Sequence, residues 1–196
     1  MSKTKSQGKT PGRRGVRGGG EATRQAILDA ARHLFAERAY EHVGLRDIAT
    51  AAGATAALVN RYFGTKEALF REVLNSGKPY FFERLLGSRE DFGEAVARII
   101  VYGDEEPRGQ DPAGVSDPRP EPGSVSYVVH SLGSPTVSAM VREVLDEDAV
   151  PRLAAWLGGP DAALRAELVF ACFAGVHAMR QIVGTAELSR AGAERL

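Results

Sequence analysis

The chain has 196 residues and a net charge of zero, with 25 Lys and Arg against 25 Asp and Glu. This length allows one large domain or two small ones around a buried core. The single cysteine, Cys172, excludes an internal disulfide and a cysteine-based zinc site, and it fits a reducing cytosol. No run of roughly eighteen apolar residues occurs, and the basic N-terminus lacks an apolar signal-peptide core. We therefore expect a cytoplasmic protein without a membrane segment.

The zero net charge conceals an uneven distribution. Residues 1–71 hold 13 Lys and Arg against 6 Asp and Glu, whereas residues 72–196 hold 12 against 19. A basic first third favours a module that faces nucleic acid. Residues 1–20 contain six basic residues, no acidic ones and clustered glycines, which predicts a disordered basic tail. Such a tail either stays solvated or follows DNA phosphates.

The first predicted helices form a compact motif. Apolar residues at three- and four-residue spacing predict a helix over 22–38. Two shorter helices follow over 45–52 and 56–63, separated by Gly53, and Thr55 is the expected N-cap of the second. Two short helices joined by a tight glycine-containing turn are typical of the helix-turn-helix, which lays its second helix in the DNA major groove.

Helical periodicity continues through the rest of the chain. Thr65 is the expected N-cap of a helix over 66–75, and Gly77 and Pro79 interrupt it. Residues 103–123 carry five prolines and six acidic residues, which predicts a mobile loop. No alternating strand pattern occurs, so the chain is predicted to be all-α. The further predicted helices cover 79–86, 91–102, 124–132, 135–157 and 161–183.

The segment from Thr23 to Leu74 resembles the TetR family of transcriptional regulators. It contains ILDAARHLFAERAY, LRDIATAAG and YFGTKEALF in the order and spacing of that family. The later segment PDAALRAELVFACFAGVHAMR is similar to the long helix that such proteins use to dimerise. The resemblance implies a helix-turn-helix DNA-binding domain over 21–71 and a helical regulatory and dimerisation domain over 72–196.

The resemblance also implies a mechanism. A homodimer would bind double-stranded operator DNA with palindromic symmetry, repression being the usual mode of the family. A small apolar or amphipathic effector would bind the second domain and release the DNA. Because the effector must then favour the form that does not bind DNA, DNA would weaken effector binding by the same factor.

DNA contacts are carried over by the resemblance and by side-chain chemistry. Lys66 and Tyr62 lie where the family anchors phosphates, and Asn60 and Arg61 offer groups that pair with adenine and guanine. Asn60 stands where the family often has Tyr, while Val43 and Gly44 stand where Ser and Thr are common. The predicted DNA-binding residues are Thr23, Arg46, Thr55, Ala56, Ala57, Asn60, Arg61, Tyr62 and Lys66.

The second domain has two predicted surfaces. Apolar segments with a few polar tips have the composition of a small-molecule pocket, with predicted lining residues Phe82, Tyr102, Tyr127, His130, Trp156, His177 and Arg180. For the two histidines, a hydrogen-bonded core position is the alternative. Apolar and small residues share one face of the 161–183 helix and predict a homodimer interface, formed by Leu164, Leu168, Cys172, Gly175, Val176 and Met179.

Other function classes are less well supported. The four histidines are scattered without metal-ligand spacing, so no metal or other cofactor is predicted. An enzyme would need a catalytic pair, a phosphate loop or a metal signature, and Cys172 and His177 lie five residues apart on a helix, a poor geometry for such a pair. An architectural DNA-binding protein without a ligand is the other alternative, favoured by the basic tail. An apolar cavity in the second domain would favour ligand control instead.

Overall fold

The computed structural model describes residues 17–102 and 123–196, and every regular element within these ranges is helical. The predicted all-α fold is therefore confirmed. The α-helices are α1 Arg17–Glu37, α2 Leu45–Ala51, α3 Ala56–Phe63, α4 Lys66–Ser76, α5 Lys78–Leu85, α6 Phe92–Tyr102, α7 Ser124–Ser131, α8 Pro135–Val144, α9 Val150–Leu157, α10 Ala162–His177 and α11 Ala186–Arg190. Short 3₁₀ turns lie at Tyr40–His42 and Ala193–Arg195, and π-helical turns lie at Leu145–Ala149 and Ala178–Val183.

The first helix begins earlier than its sequence pattern predicts. Residues 17–20 belong to α1 and not to a disordered tail, although glycine is a poor helix former. The Thr23 hydroxyl donates to the Gly19 carbonyl at 2.7 Å, and Gly20 lies against the Tyr62 hydroxyl, so this turn is held by one bond within the helix and by one contact from outside it. Residues 1–16 of the predicted tail and residues 103–122 of the predicted loop lie outside the described residues.

The core beneath α3 is built around three aromatic rings. Phe70 packs edge-on against Phe35 at 4.8 Å and against Tyr40 at 5.2 Å between ring centroids. The same core includes Tyr127 of α7 and Val137 of α8, both wholly buried. The first four helices are thus packed directly onto the corner between α7 and α8.

A second core holds the remaining helices together. Phe81 of α5 packs against Phe173 of α10 at 5.4 Å between ring centroids, and Leu85 and Leu153 are wholly buried beside them. This core places α10 against α5 and α9. One side of α10 is therefore anchored, and its other side faces away from the rest of the described helices.

Two of the long predicted helices contain π-helical turns. The 135–157 helix is interrupted at Leu145–Ala149, and the 161–183 helix ends in the turn Ala178–Val183. A π-helical turn shifts the residues that follow it around the helix axis, and such turns are frequent at functional sites. The residues beyond each turn therefore face directions that a regular helical repeat does not predict.

Candidate nucleic-acid interface and apolar cavity

The ends of α3 are set by local sequence. The Thr55 side chain accepts a hydrogen bond from the Leu58 N–H at 3.3 Å, which confirms the predicted N-cap. Gly53 in the preceding turn has φ +61° and Gly64 after the helix has φ +76°, conformations that glycine adopts without strain. Two glycine corners and a threonine cap therefore fix the length and direction of this short helix.

One side of α3 is buried and the other is open. Val59 and Phe63 point into the core, while Ala57, Asn60 and Arg61 are exposed. An exposed amide and guanidinium beside a small side chain can approach base edges in a major groove. Among the other residues predicted to contact bases, Arg46 on α2 is exposed and Ala56 is half-buried against the core.

Hydroxyl groups lie around this helix. The Thr55 oxygen already accepts the cap hydrogen bond and retains its own proton for donation. Tyr62 is half-buried, with its hydroxyl next to Gly20 at the start of α1. Thr23 donates to the Gly19 carbonyl, so its hydroxyl proton is in use here. The structure thus brings the first turn of α1 and the end of α3 to one side of the molecule.

Lys66 is placed differently from its prediction as a free phosphate anchor. Its ammonium donates to the Tyr40 carbonyl at 2.9 Å and to the Val43 carbonyl at 3.1 Å, and lies 4.0 Å from the centre of the Tyr40 ring. An ammonium has three protons, so one donor remains. Burial, followed by the nearby Glu67 charge, raises the pKa of the Tyr40 phenol above its ordinary range. Lys66 therefore braces the connection between α1 and α2.

A large apolar cavity lies between α5, α7, α8, α9 and α10. Its volume is about 720 Å³, within the range of small-molecule sites. Among the predicted pocket residues whose side chains the structure describes, only Phe82 is on its wall, whereas Leu164 and Leu168, predicted for dimerisation, also line it. The lining residues are Leu74, Lys78, Phe81, Phe82, Val125, Val128, Leu132, Ser138, Val141, Arg142, Val144, Leu145, Asp146, Ala149, Val150, Leu164, Glu167, Leu168, Phe170, Ala171, Phe173 and Ala174.

The other predicted pocket residues with described side chains lie away from this cavity. Tyr127 is wholly buried in the core beneath α3, because its face of α7 turns towards the first four helices. The His130 ring nitrogen Nδ1 lies 2.9 Å from the Ser126 carbonyl, one turn earlier in α7. Trp156 packs against Phe92 at 5.0 Å between ring centroids. The side chain of Tyr102, the last residue of α6, lies outside the described residues.

His177 and Arg180 form a structural cluster of their own. Burial, with His130 and Arg180 nearby, lowers the pKa of His177 to about 4, so the ring is neutral near pH 7. Arg180 is 9% exposed and donates to the carbonyls of Leu188 and Ala191, which holds α11 against the end of α10. The π-helical turn that contains Arg180 directs it to these carbonyls and not into the cavity.

Four charged residues on the cavity wall were not predicted from the sequence. Lys78, Arg142, Asp146 and Glu167 line it, and Lys78 also forms an ion pair with Asp148 at 3.2 Å. Arg142, Asp146 and Glu167 are exposed, so the charges lie at the rim while the interior is apolar. A charged residue at a rim has the same helical spacing as one in open solvent, so no sequence signal distinguishes it.

The outward side of α10 is apolar. Leu164 is 57% exposed and Leu168 is 59% exposed, and Val176 alone among the predicted interface residues is half-buried against the second core. We call this surface the α10 face, formed by Leu164, Leu168, Ala171, Cys172, Gly175, Met179, Ile182 and Val183. By length and composition alone, Ala162–Val183 would also fit a membrane span, and only 11% of its most apolar 18-residue stretch is buried.

Comparison with known proteins finds a family match for each half of the chain. Residues 27–73 match the family model described as bacterial regulatory proteins, tetR family, and residues 90–196 match the tetracyclin repressor-like C-terminal domain. An uncharacterized HTH-type transcriptional regulator of Mycobacterium tuberculosis is 45% identical over 81 residues, which are 41% of this chain and 40% of that relative. This match thus spans less than half the length of the relative.

Solved structures share the fold. GusR of Salmonella enterica is 19% identical with a TM-score of 0.57, covering 85% of this chain and 89% of that one. SmeT, solved as a complex with triclosan, is 20% identical with a TM-score of 0.58, covering 86% of this chain and 85% of that one.

A capped helix-turn-helix joined to a helical domain defines a DNA-binding transcriptional regulator, a class of protein that is not an enzyme. The two family matches, the second of which covers more than half of the chain, identify the particular group. The chain belongs to the TetR family.

Proposed function

We propose that this protein is a homodimeric repressor that binds a palindromic operator and is released by a small apolar effector. The observation that carries the proposal is the apolar cavity of about 720 Å³, whose walls include α7 and α8. These two helices also pack against the first four, so a molecule in the cavity touches the support of α3. We place this activity in the cytoplasm, where operator DNA is reached.

On the DNA side, α3 enters the major groove of each half-site. Asn60 and Arg61 contact bases, Ala57 and Ala56 approach thymine methyl groups, and Arg46 reaches a base or a phosphate. The hydroxyls of Thr55 and Tyr62 bind phosphates, and the hydroxyl of Thr23 does so by exchanging the Gly19 carbonyl for a phosphate oxygen. Lys66 adds its remaining proton while bracing Tyr40 and Val43.

Dimerisation uses the α10 face. Apolar side chains as exposed as Leu164 and Leu168 are unfavourable in water and favour a second apolar surface. We assign this surface to a second copy and not to lipid because Arg165, Glu167 and Arg180 interrupt the stretch, and a charge within a membrane is costly. Members of the family typically act as homodimers, which supports the assignment.

The effector is a small, largely apolar molecule. The walls of the cavity carry Phe81, Phe82, Phe170 and Phe173, which suit a compound with aromatic rings. The similar structure of SmeT was solved with triclosan, a precedent for such a ligand within this fold. The effector acts by binding better to the form whose two α3 helices no longer fit successive major grooves.

Direct contacts link the cavity to the DNA-binding helices. The Tyr40 N–H donates to the Ser131 hydroxyl at 3.1 Å at the corner between α7 and α8, and Arg71 of α4 pairs with Glu143 of α8 at 2.7 Å. A shift of α8 caused by the effector would therefore be passed to both ends of the helix-turn-helix. The two proposed domains, residues 21–71 and 72–196, thus act as a coupled pair.

The alternative is an architectural or ligand-independent DNA-binding protein. The cavity favours ligand control, because a protein without a ligand has no need of a void that reduces its packing. Selection of operators from a random double-stranded DNA library, followed by release with an apolar compound library, tests the proposal. We expect a palindromic site bound by a dimer and at least one compound that releases it. DNA binding without sequence preference, or a monomeric mass by light scattering at micromolar concentration, would contradict it.

A further inference from the structure

The apolar cavity opens onto the α10 face. Leu164 and Leu168 line the cavity from α10 and are 57% and 59% exposed, and Leu132, 48% exposed, lines it from the end of α7. A side chain that both lines a cavity and meets solvent marks its mouth. Within the described residues, therefore, the chain leaves an apolar opening between α10 and the end of α7.

This mouth is one end of a longer apolar surface. From Leu164 the α10 face continues through Gly175 to Val183, which is 62% exposed. Twenty residues of helix span roughly 30 Å, so this surface extends well beyond Leu164 and Leu168. A Cβ added at Gly175 would meet no atom within 4 Å, so none of the described residues fills the space above it.

We propose that a second copy of this chain closes the mouth, so that the effector site is complete only in the homodimer. The inference rests on the dimer and the effector proposed above, and adds that one surface serves both. Gly175 and Ala171 allow a partner helix to approach closely. The partner helix would then cover Leu164 and Leu168 together with the apolar atoms of a bound molecule.

Because the same surface takes part in both, dimerisation and the binding of a molecule in the cavity are coupled equilibria. In a monomer, part of a molecule in the cavity would remain in contact with water at Leu164 and Leu168. In the dimer the same atoms are buried, so binding is tighter. Thermodynamic linkage is reciprocal. If dimerisation raises the affinity for the bound molecule by some factor, the bound molecule raises the association constant of the dimer by the same factor. We expect a factor of at least about ten, the effect of roughly 1.4 kcal/mol.

The substitution Gly175→Arg separates the dimer from the cavity. Gly175 does not line the cavity, and its Cβ position is open, so the folded monomer accepts a side chain there. Replacing a helical glycine also favours the helix. Gly93→Arg is the matched control, because Gly93 is an exposed glycine within α6 with nothing within 4 Å of its Cβ position.

The experiment measures the binding of N-phenyl-1-naphthylamine, an uncharged apolar dye, by fluorescence, with mass from analytical ultracentrifugation and folding from circular dichroism. We expect the wild type and Gly93→Arg to be dimers that bind the dye alike. We expect Gly175→Arg to be a folded monomer that binds it at least about tenfold more weakly.

Three results would overturn the proposal. A folded Gly175→Arg monomer that binds the dye like the wild type would show that one chain completes the site. A Gly175→Arg dimer with unchanged dye binding would show that this surface does not meet the partner. A dimeric wild type that binds no dye would remove the apolar effector site itself, and with it both this inference and the effector part of the proposed function.

Discussion

Two helices of this protein, α3 and α10, each present a side that the other described residues leave uncovered. On α3 the open side carries Ala57, Asn60 and Arg61, which are small or polar. On α10 it carries large apolar residues such as Leu164, Leu168 and Ile182. A polar face remains stable in water until DNA replaces the water, whereas an apolar face is stabilised by permanent burial. The polar open face of α3 therefore suits a partner that binds reversibly, and the apolar open face of α10 suits a partner that stays bound.

The largest expected effect follows from placing a charge on the α10 face. Ile182→Asp would bury a carboxylate at the dimer interface, and we expect the dimer to dissociate roughly a hundredfold more readily, about 2.7 kcal/mol. Ala139→Asp, at an exposed position of α8 outside the cavity wall, is the control. Analytical ultracentrifugation measures both. An unchanged dimer constant for Ile182→Asp would remove α10 from the interface.

Removing a charge from α3 should change DNA binding alone. Arg61→Ala should cost about 1–3 kcal/mol at the operator and relax the preference at one base position, because a bidentate contact to guanine is lost. Arg190→Ala on α11 is the control, since its exposed guanidinium lies far along the chain from α3. Operator selection with each variant measures the preference. If the selected sequence were the same for Arg61→Ala and the wild type, base reading by this residue would be excluded.

Lys66 lies beside α3 and combines support with DNA binding. Lys66→Met should lower the free energy of unfolding by about 2 kcal/mol, because the carbonyls of Tyr40 and Val43 lose a charged donor. It should also lower the salt-dependence slope of DNA binding by about one if the third proton binds a phosphate. Lys78→Met, which removes a partly exposed ion pair, should cost less than about 1 kcal/mol. Equal stability of Lys66→Met and the wild type would mean that the brace contributes nothing.

The smallest effect depends on pH. Because the pKa of His177 is lowered from 6.5 to about 4, the folded protein binds fewer protons than the unfolded chain between these values, and stability falls as the pH falls below about 6.5. Between pH 7.5 and pH 5, the wild type should lose about 1–2 kcal/mol more than His177→Gln. Urea unfolding at both values measures the difference. Parallel losses in the two proteins would contradict a neutral buried ring.

Local signals predicted much of the DNA-binding region. Thr55 and Thr65 cap the helices that they were predicted to cap, and α3 has the predicted bounds, because caps and glycine corners act within a few residues. The placement of Lys66 was not predicted, since its partners Tyr40 and Val43 lie more than twenty residues away. Contacts of that range depend on tertiary packing, which no local pattern contains.

A cavity in the second domain was predicted, but of the individually predicted lining residues with described side chains only Phe82 lies on its wall. Tyr127 and Leu164 are both apolar positions on predicted helices, yet one fills a core and the other lines the void. Periodicity identifies the inward side of a helix and does not reveal which neighbours leave a gap. The π-helical turn at Ala178–Val183 adds a second error, because it directs Arg180 to the carbonyls of Leu188 and Ala191.

The core beneath α3 has a consequence for protein engineering. Its buried residues include Tyr127, Val137 and Met140, which lie far beyond the helix-turn-helix in sequence. A chimera that transplants residues 21–71 alone would set Phe70 against a foreign surface, and the hydrogen bond from Tyr40 to Ser131 would be lost. The portable unit for exchanging operator specificity between relatives is therefore a discontinuous one, in which the α7–α8 corner travels with the first four helices.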